Sequence, residues 1–172
     1  MTDSPSIAIV PVIREQLARL SELAPRIWQY AYTGILSPEQ ISYMLEMMYA
    51  VPVLEKEFDN GVKFRFITAD QVPCGFIACY EYGNEHNTIK LDKLYLDPEY
   101  HKLGIGSQAI RYVVDSAREA GYDRVILNVN KNNQRAIRAY KRNGFKVRES
   151  VKNDIGNGFF MDDYVMEKKL TK

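Results

Sequence analysis

The sequence predicts an α/β fold built on a mixed, mostly antiparallel sheet flanked by helices. Three observations carry this. Between Val62 and Leu96, three runs of period two are joined by short polar turns, which makes them antiparallel neighbours. A long helical pattern, Gly104 to Ala120, then leads to a buried strand, Asp123 to Val129, the order expected of a crossover into a parallel neighbour. Two further runs, Phe145 to Val151 and Phe159 to Lys168, read as a closing hairpin.

The elements follow in order. From Val12 to about Tyr49 the pattern is helical, with Leu17, Leu20, Leu23, Ala24 and Ile27 on one stripe. Pro25 interrupts it and should divide or kink the segment. A second helix starts at Ser37, with Ser37 as N-cap, Pro38 at the first helical position and Gln40 at the capping-box position. It carries Ile41, Met44, Leu45 and Met48 on one face, so two N-terminal helices are expected. Val62 to Ala69 alternates as a half-buried strand, Asp70 to Pro73 reads as a turn, and Cys74 to Tyr82 is the second strand. Asn84 to Asn87 is the next turn and Thr88 to Leu96 the third strand. The long helix keeps Ile105, Ala109, Ile110, Val113 and Ala117 inward and ends at Gly121. Asn133 to Arg142 is a short helix stopped by Gly144.

Composition narrows the function classes. The 172 residues, 46% hydrophobic and 26% charged, suit one domain over 1–172 with a sizeable core. A net charge of +1 gives no support to nucleic-acid binding. No apolar run is long enough for a membrane span, and the first residues lack the basic start and apolar core of a signal peptide. Cys74 and Cys79 are five apart on one strand and face opposite sides, so core thiols are expected rather than a disulfide. With only His86 and His101, no metal site is expected. The setting these features suggest is cytoplasmic.

The chemical signal is Leu91 to Tyr112: an apolar strand, a polar turn, a glycine corner and a helix. Gly104, Ile105, Gly106 and Ser107 fall at the first turn of that helix. Its first amides have no partner within the helix, and the helix dipole places partial positive charge there. Glycines let a phosphate approach those amides. Gly104 to Ala109 formally matches G-x-G-x-x-A, but Asp97 to Leu103 separate strand from glycine. Asn128 and Asn130 also stand where a dinucleotide fold has an acid. A Walker loop is excluded because no Gly-Lys-Ser/Thr follows.

Asp97 to Gly106 resembles the coenzyme A pyrophosphate motif of the GCN5-related N-acetyltransferase (GNAT) family, R/Q-x-x-G-x-G/A after a strand ending in Asp-Pro. Asn133 to Phe145 resembles that family's N-x-x-A-x-x-x-Y-x-x-x-G-F segment. Together the two cover Leu91 to Phe145 in the family's order and spacing. The flanking strands extend the likeness from about Val62 to Lys168. One departure is His101, which stands where the family has Arg or Gln.

The resemblance implies transfer of acetyl from acetyl-CoA to a primary amine of a small molecule, polyamine or peptide, by direct transfer in a ternary complex. It puts pyrophosphate binding on the backbone of Leu103 to Ser107, with Lys102 and His101 beside it. It assigns Leu94, Tyr95 and Leu96 to pantetheine and the thioester oxygen. By resemblance Asn133 lies at the pantetheine, although Asn133 also reads as a helix N-cap. Tyr140, seven residues further along the same helical face, is implied as the acid that protonates the leaving thiolate; by periodicity alone it reads as a core tyrosine.

The base is less defined. An alkyl amine with a pKa of about 10.4 is neutral only about once in 2,500 molecules at pH 7, so a proton acceptor helps. The position of a family glutamate falls near Lys90, which as a cation cannot serve. Glu81 is the substitute expected, with Asp92 a second option. Trp28, Tyr32 and Tyr82 are the acceptor-binding candidates. Two rival readings are kept: a non-catalytic CoA-binding or partner-binding module of the same fold, and, more distantly, a nicotinamide enzyme. The final hairpin offers an edge for a homodimer.

Overall fold

The computed structural model describes residues 3–170. Seven strands run in the order β1-β2-β3-β4-β5-β7-β6. They are β1 (Ile7–Pro11), β2 (Lys63–Ala69), β3 (Val72–Glu81), β4 (Thr88–Leu96), β5 (Arg124–Asn130), β6 (Lys146–Gly156) and β7 (Phe159–Lys169). The helices are α1 (Leu17–Tyr32), α2 (Pro38–Tyr49), α3 (Val51–Asp59), α4 (Ile105–Glu119) and α5 (Gln134–Arg142). The chain divides into two compact units, Met1–Cys79 with Lys93–Ala109, and Tyr80–Asp92 with Ile110–Lys172.

In the first unit β1 pairs antiparallel with β2, and β2 with β3. The β2–β3 turn is Asp70-Gln71, both with positive φ (48° and 69°), the backbone twist that a tight hairpin needs. Helix α1 stays unbroken across Pro25. Pro25 is exposed, so the hydrogen bond that its missing N–H removes is lost on the solvent side of the helix. Ser37 caps α2 as expected, its side chain accepting from Gln40 N–H at 3.1 Å. The core of this unit is aromatic: Trp28, Tyr49, Phe64 and Phe76 are each at most 2% exposed.

In the second unit β4 pairs parallel with β5, from Thr88↔Arg124 to Leu91↔Leu127. Strand β7 lies antiparallel between β5 and β6. The β6–β7 turn is Asn157-Gly158, again at positive φ (56° and 79°). Val125, Leu127, Met166, Ile137 and Phe145 form the buried centre of this unit.

Candidate active site

In the first unit, β4 ends at Leu96 and Asp97 turns the chain. Asp97 is buried; its Oδ1 accepts from Glu99 N–H at 3.0 Å, and its own N–H donates to Cys74 O at 2.7 Å. Arg26 of α1 clamps this turn, with Nε 3.1 Å from Asp97 Oδ2 and Nη2 2.9 Å from Glu99 Oε1. Lys102 (φ 67°) and Gly104 (φ 77°) then reverse the chain into α4. Gln108 N–H makes the bond back to Gly104 O, so Ile105, Gly106 and Ser107 form the amide-rich first turn. A side-chain carbon added at Gly104 or Gly106 would meet nothing within 4 Å. The turn is therefore open where an anionic group would sit, and its chemistry fits a pyrophosphate.

His101 does not present its Nε2 to that opening. The imidazole Nε2–H donates to Leu96 O at 2.9 Å, and the ring packs edge-on to Tyr30 at 5.5 Å. It fastens the turn to the end of β4. Lys102 and Leu103 are exposed beside the glycines.

Leu94, Tyr95 and Leu96 are half-buried. Strand β3 approaches them through Gly75: a Cβ there would stand 2.4 Å from Tyr95 O and 3.2 Å from Leu96 Cα. Any side chain at position 75 would push on this end of β4. The Tyr95 ring lies 5.6 Å from both Trp28 and Phe76, and its hydroxyl is 2.7 Å from that of Tyr32. Of the acceptor candidates in this unit, Trp28 proves to be core. It is 1% exposed, and its indole N–H donates to the Tyr49 hydroxyl at 2.9 Å. It backs Tyr32 at 4.6 Å instead of facing outward.

In the second unit, Asn133 caps α5, its side chain accepting from Ala136 N–H at 3.3 Å. Tyr140 is buried on the same helix, edge-on to Phe145 at 5.6 Å. Glu81 is exposed and accepts from the Tyr122 hydroxyl at 3.2 Å, so solvent and a phenol already serve this carboxylate. Tyr82 accepts from Asn84 Nδ2 at 3.3 Å and presents its ring to Lys90 Nζ at 5.4 Å.

Lys90 is the residue that sequence reasoning set aside. It is half-buried, and its Nζ donates to Asn128 Oδ1. Burial lowers its pKa, only partly offset by the carboxylates of Asp92 and Asp163. Asp163, 7% exposed, is moved the opposite way by burial, although Asn128 bonds to it. Cys74 is no nucleophile: burial pushes its thiol up to about 11. Cys74 and Cys79 are both free thiols. Among the described residues no group of three or more metal-ligating side chains occurs, and no helix is long and apolar enough to cross a membrane.

The profile of the acetyltransferase (GNAT) family matches residues 20–145, and the chain belongs to that family. It is 29% identical over 169 residues to the spermidine N(1)-acetyltransferase of Thermoplasma acidophilum, covering 95% of this chain and 98% of that one. Among solved structures, the PaiA N-acetyltransferase of Thermoplasma acidophilum in complex with coenzyme A matches with a TM-score of 0.80 at 30% identity. That match covers 95% of this chain and 99% of the other. A GCN5-related N-acetyltransferase from Rhodopseudomonas palustris shares the fold, with a TM-score of 0.78 at 19% identity over 99% and 98% of the two chains.

Proposed function

We propose that this GNAT acetyltransferase moves an acetyl group from acetyl-CoA to a primary amine of polyamine type, by direct transfer. The observation that carries the cofactor is the open first turn of α4, where glycines leave the amides accessible. The acceptor class is supported by similarity along almost the whole chain to a spermidine acetyltransferase. The cytoplasm is the setting we propose for it.

Acetyl-CoA supplies the acetyl group as a thioester. Amides from Leu103 to Ser107 hold the pyrophosphate, with Lys102 adding charge from the rim. His101 acts through the turn it fastens. The backbone of Leu94 to Leu96 holds the pantetheine and polarises the thioester oxygen. Asn133 spends its Oδ1 on the helix cap, which leaves its Nδ2 as the group offered to the pantetheine. Tyr140 gives its phenolic proton to the leaving sulfur. Tyr32 and Tyr82 receive the acceptor, with Trp28 supporting Tyr32 from behind. Glu81 is not given the base's role, because it is exposed and already bonded to Tyr122.

The test is release of coenzyme A thiol with a panel of amines: spermidine, spermine, short diamines and peptides with free amino groups. We expect release that depends on the amine, fastest with a polyamine. Saturable acetyl-CoA binding without turnover of any amine would instead favour a non-catalytic module.

A further inference from the structure

We propose that Lys90 is the group that takes the proton from the acceptor's ammonium before acetyl transfer. This rests on the reading that the chain acetylates a primary amine. Lys90 sits one residue before the last paired position of β4 and β5, Leu91↔Leu127. It lies on the strand whose continuation, Leu94 to Leu96, is assigned to the thioester.

Its surroundings suit both forms of an amine. Half-burial favours the neutral base. The Asn128 carbonyl oxygen and the face of Tyr82, 5.4 Å away, receive the cation once the proton has arrived. The charged and titratable groups that face it are Tyr82 and Glu85 from the β3–β4 loop, Asp92 on β4, Arg148 on β6 and Asp163 on β7. Asp92, Asp163 and Glu85 favour the cation, whereas burial and Arg148 favour the neutral amine. Asp163 itself is nearly enclosed, whereas Lys90 is only half-buried and faces Tyr82, an acceptor candidate.

Neutral Lys90 takes one proton from the acceptor ammonium, leaving a free amine on the acceptor. The amine nitrogen forms the C–N bond as the C–S bond breaks, and sulfur takes the proton of Tyr140. The remaining surplus proton on nitrogen returns to Tyr140, and Lys90 passes its proton to water. Burial leaves Lys90 neutral more often than an exposed lysine, and C–N bond formation draws on the uphill transfer from the acceptor ammonium.

The test compares wild type, Lys90→Arg and Lys90→Gln at saturating acetyl-CoA across pH 6 to 10, with spermidine as acceptor. Arginine keeps the charge and a donor to Asn128 but cannot accept a proton, so a structural role would be rescued by it. We expect Lys90→Arg to lower kcat/KM for spermidine about 100-fold near neutral pH. The loss should shrink as pH rises toward the acceptor's own pKa, with acetyl-CoA affinity unchanged. A pH profile that superimposes on wild type overturns the role of Lys90 and leaves the transferase reading standing. Wild type that binds acetyl-CoA but acetylates no amine overturns both. An NMR titration of the Lys90 ammonium in the wild type guards against a variant that fails to fold. Titration at lower pH than the exposed lysines supports the role, and titration together with them overturns it.

Discussion

Two groups of charged side chains in the second unit are shifted in opposite senses, one toward its ionised forms and the other toward its neutral forms. At the β6 bulge, Arg148 bonds Glu85 through both terminal nitrogens and reaches Glu167 at 3.4 Å. Arg124 stands 3.7 Å and 3.6 Å from the same two acids. Two cations meet two anions directly, and the ionised forms win: Arg148 is held above its usual range and Glu85 below it, each chiefly by their mutual hydrogen bond. At the end of the β4–β5 pairing, Lys90 and Asp163 are bridged by the amide of Asn128. Desolvation outweighs attraction there, and both groups move toward their neutral forms. A direct pair fixes charge and holds strands, whereas a bridged, half-buried pair leaves protons movable, as acid–base work requires.

Each side of that contrast can be struck separately. The largest expected effect lies on the binding side. Gly106→Trp fills the open turn of α4 and should abolish acetyl-CoA binding in calorimetry while the melting temperature barely moves. Tyr140→Phe should lower kcat about 100-fold with acetyl-CoA affinity unchanged, read by steady-state kinetics beside a titration. Equal losses in both would place Tyr140 in packing alone. On the structural side, Arg148→Met leaves Glu85 and Glu167 short of a partner. It should cost about 2–3 kcal/mol in denaturant unfolding.

The smallest effect expected is that of Glu85→Gln, about 1 kcal/mol at neutral pH. Its pH dependence has a definite sign. Glu85 has a folded pKa below its ordinary value of 4.5, so the unfolded chain binds the proton more readily. The pair's contribution is present above pH 4.5 and fades as pH falls through the lowered folded value. The melting difference between wild type and Glu85→Gln should therefore close in acid. A difference that persists there would mean the carboxylate acts through shape and not charge.

Much of this arrangement is legible in the sequence, because most of it is local. The meander, the crossover helix, the glycine corner and the final hairpin each declare themselves within about a dozen residues. What was missed depends on distant partners or weak periodicity. Strand β1 is five residues long and finds its partner far along the chain, at Ile7↔Ala69. Helix α3 is nine residues long and fully buries only Leu54, with Val51 and Phe58 half-buried, so its apolar stripe is short. Trp28 looks like an acceptor residue until Tyr49, on another helix, encloses it. Lys90 reads as an ordinary cation because the burial that lowers its pKa, and its bond to Asn128 on β5, exist only once the sheet has formed. His101 reads as a phosphate ligand because its bond to Leu96 O exists only once the turn has closed.

The most direct test of the account is calorimetric titration of the protein with acetyl-CoA, with NAD in parallel. Acetyl-CoA should bind saturably at one site, and NAD should give no heat of binding. Absence of acetyl-CoA binding would contradict the assignment of the α4 turn and, with it, the proposed transfer reaction.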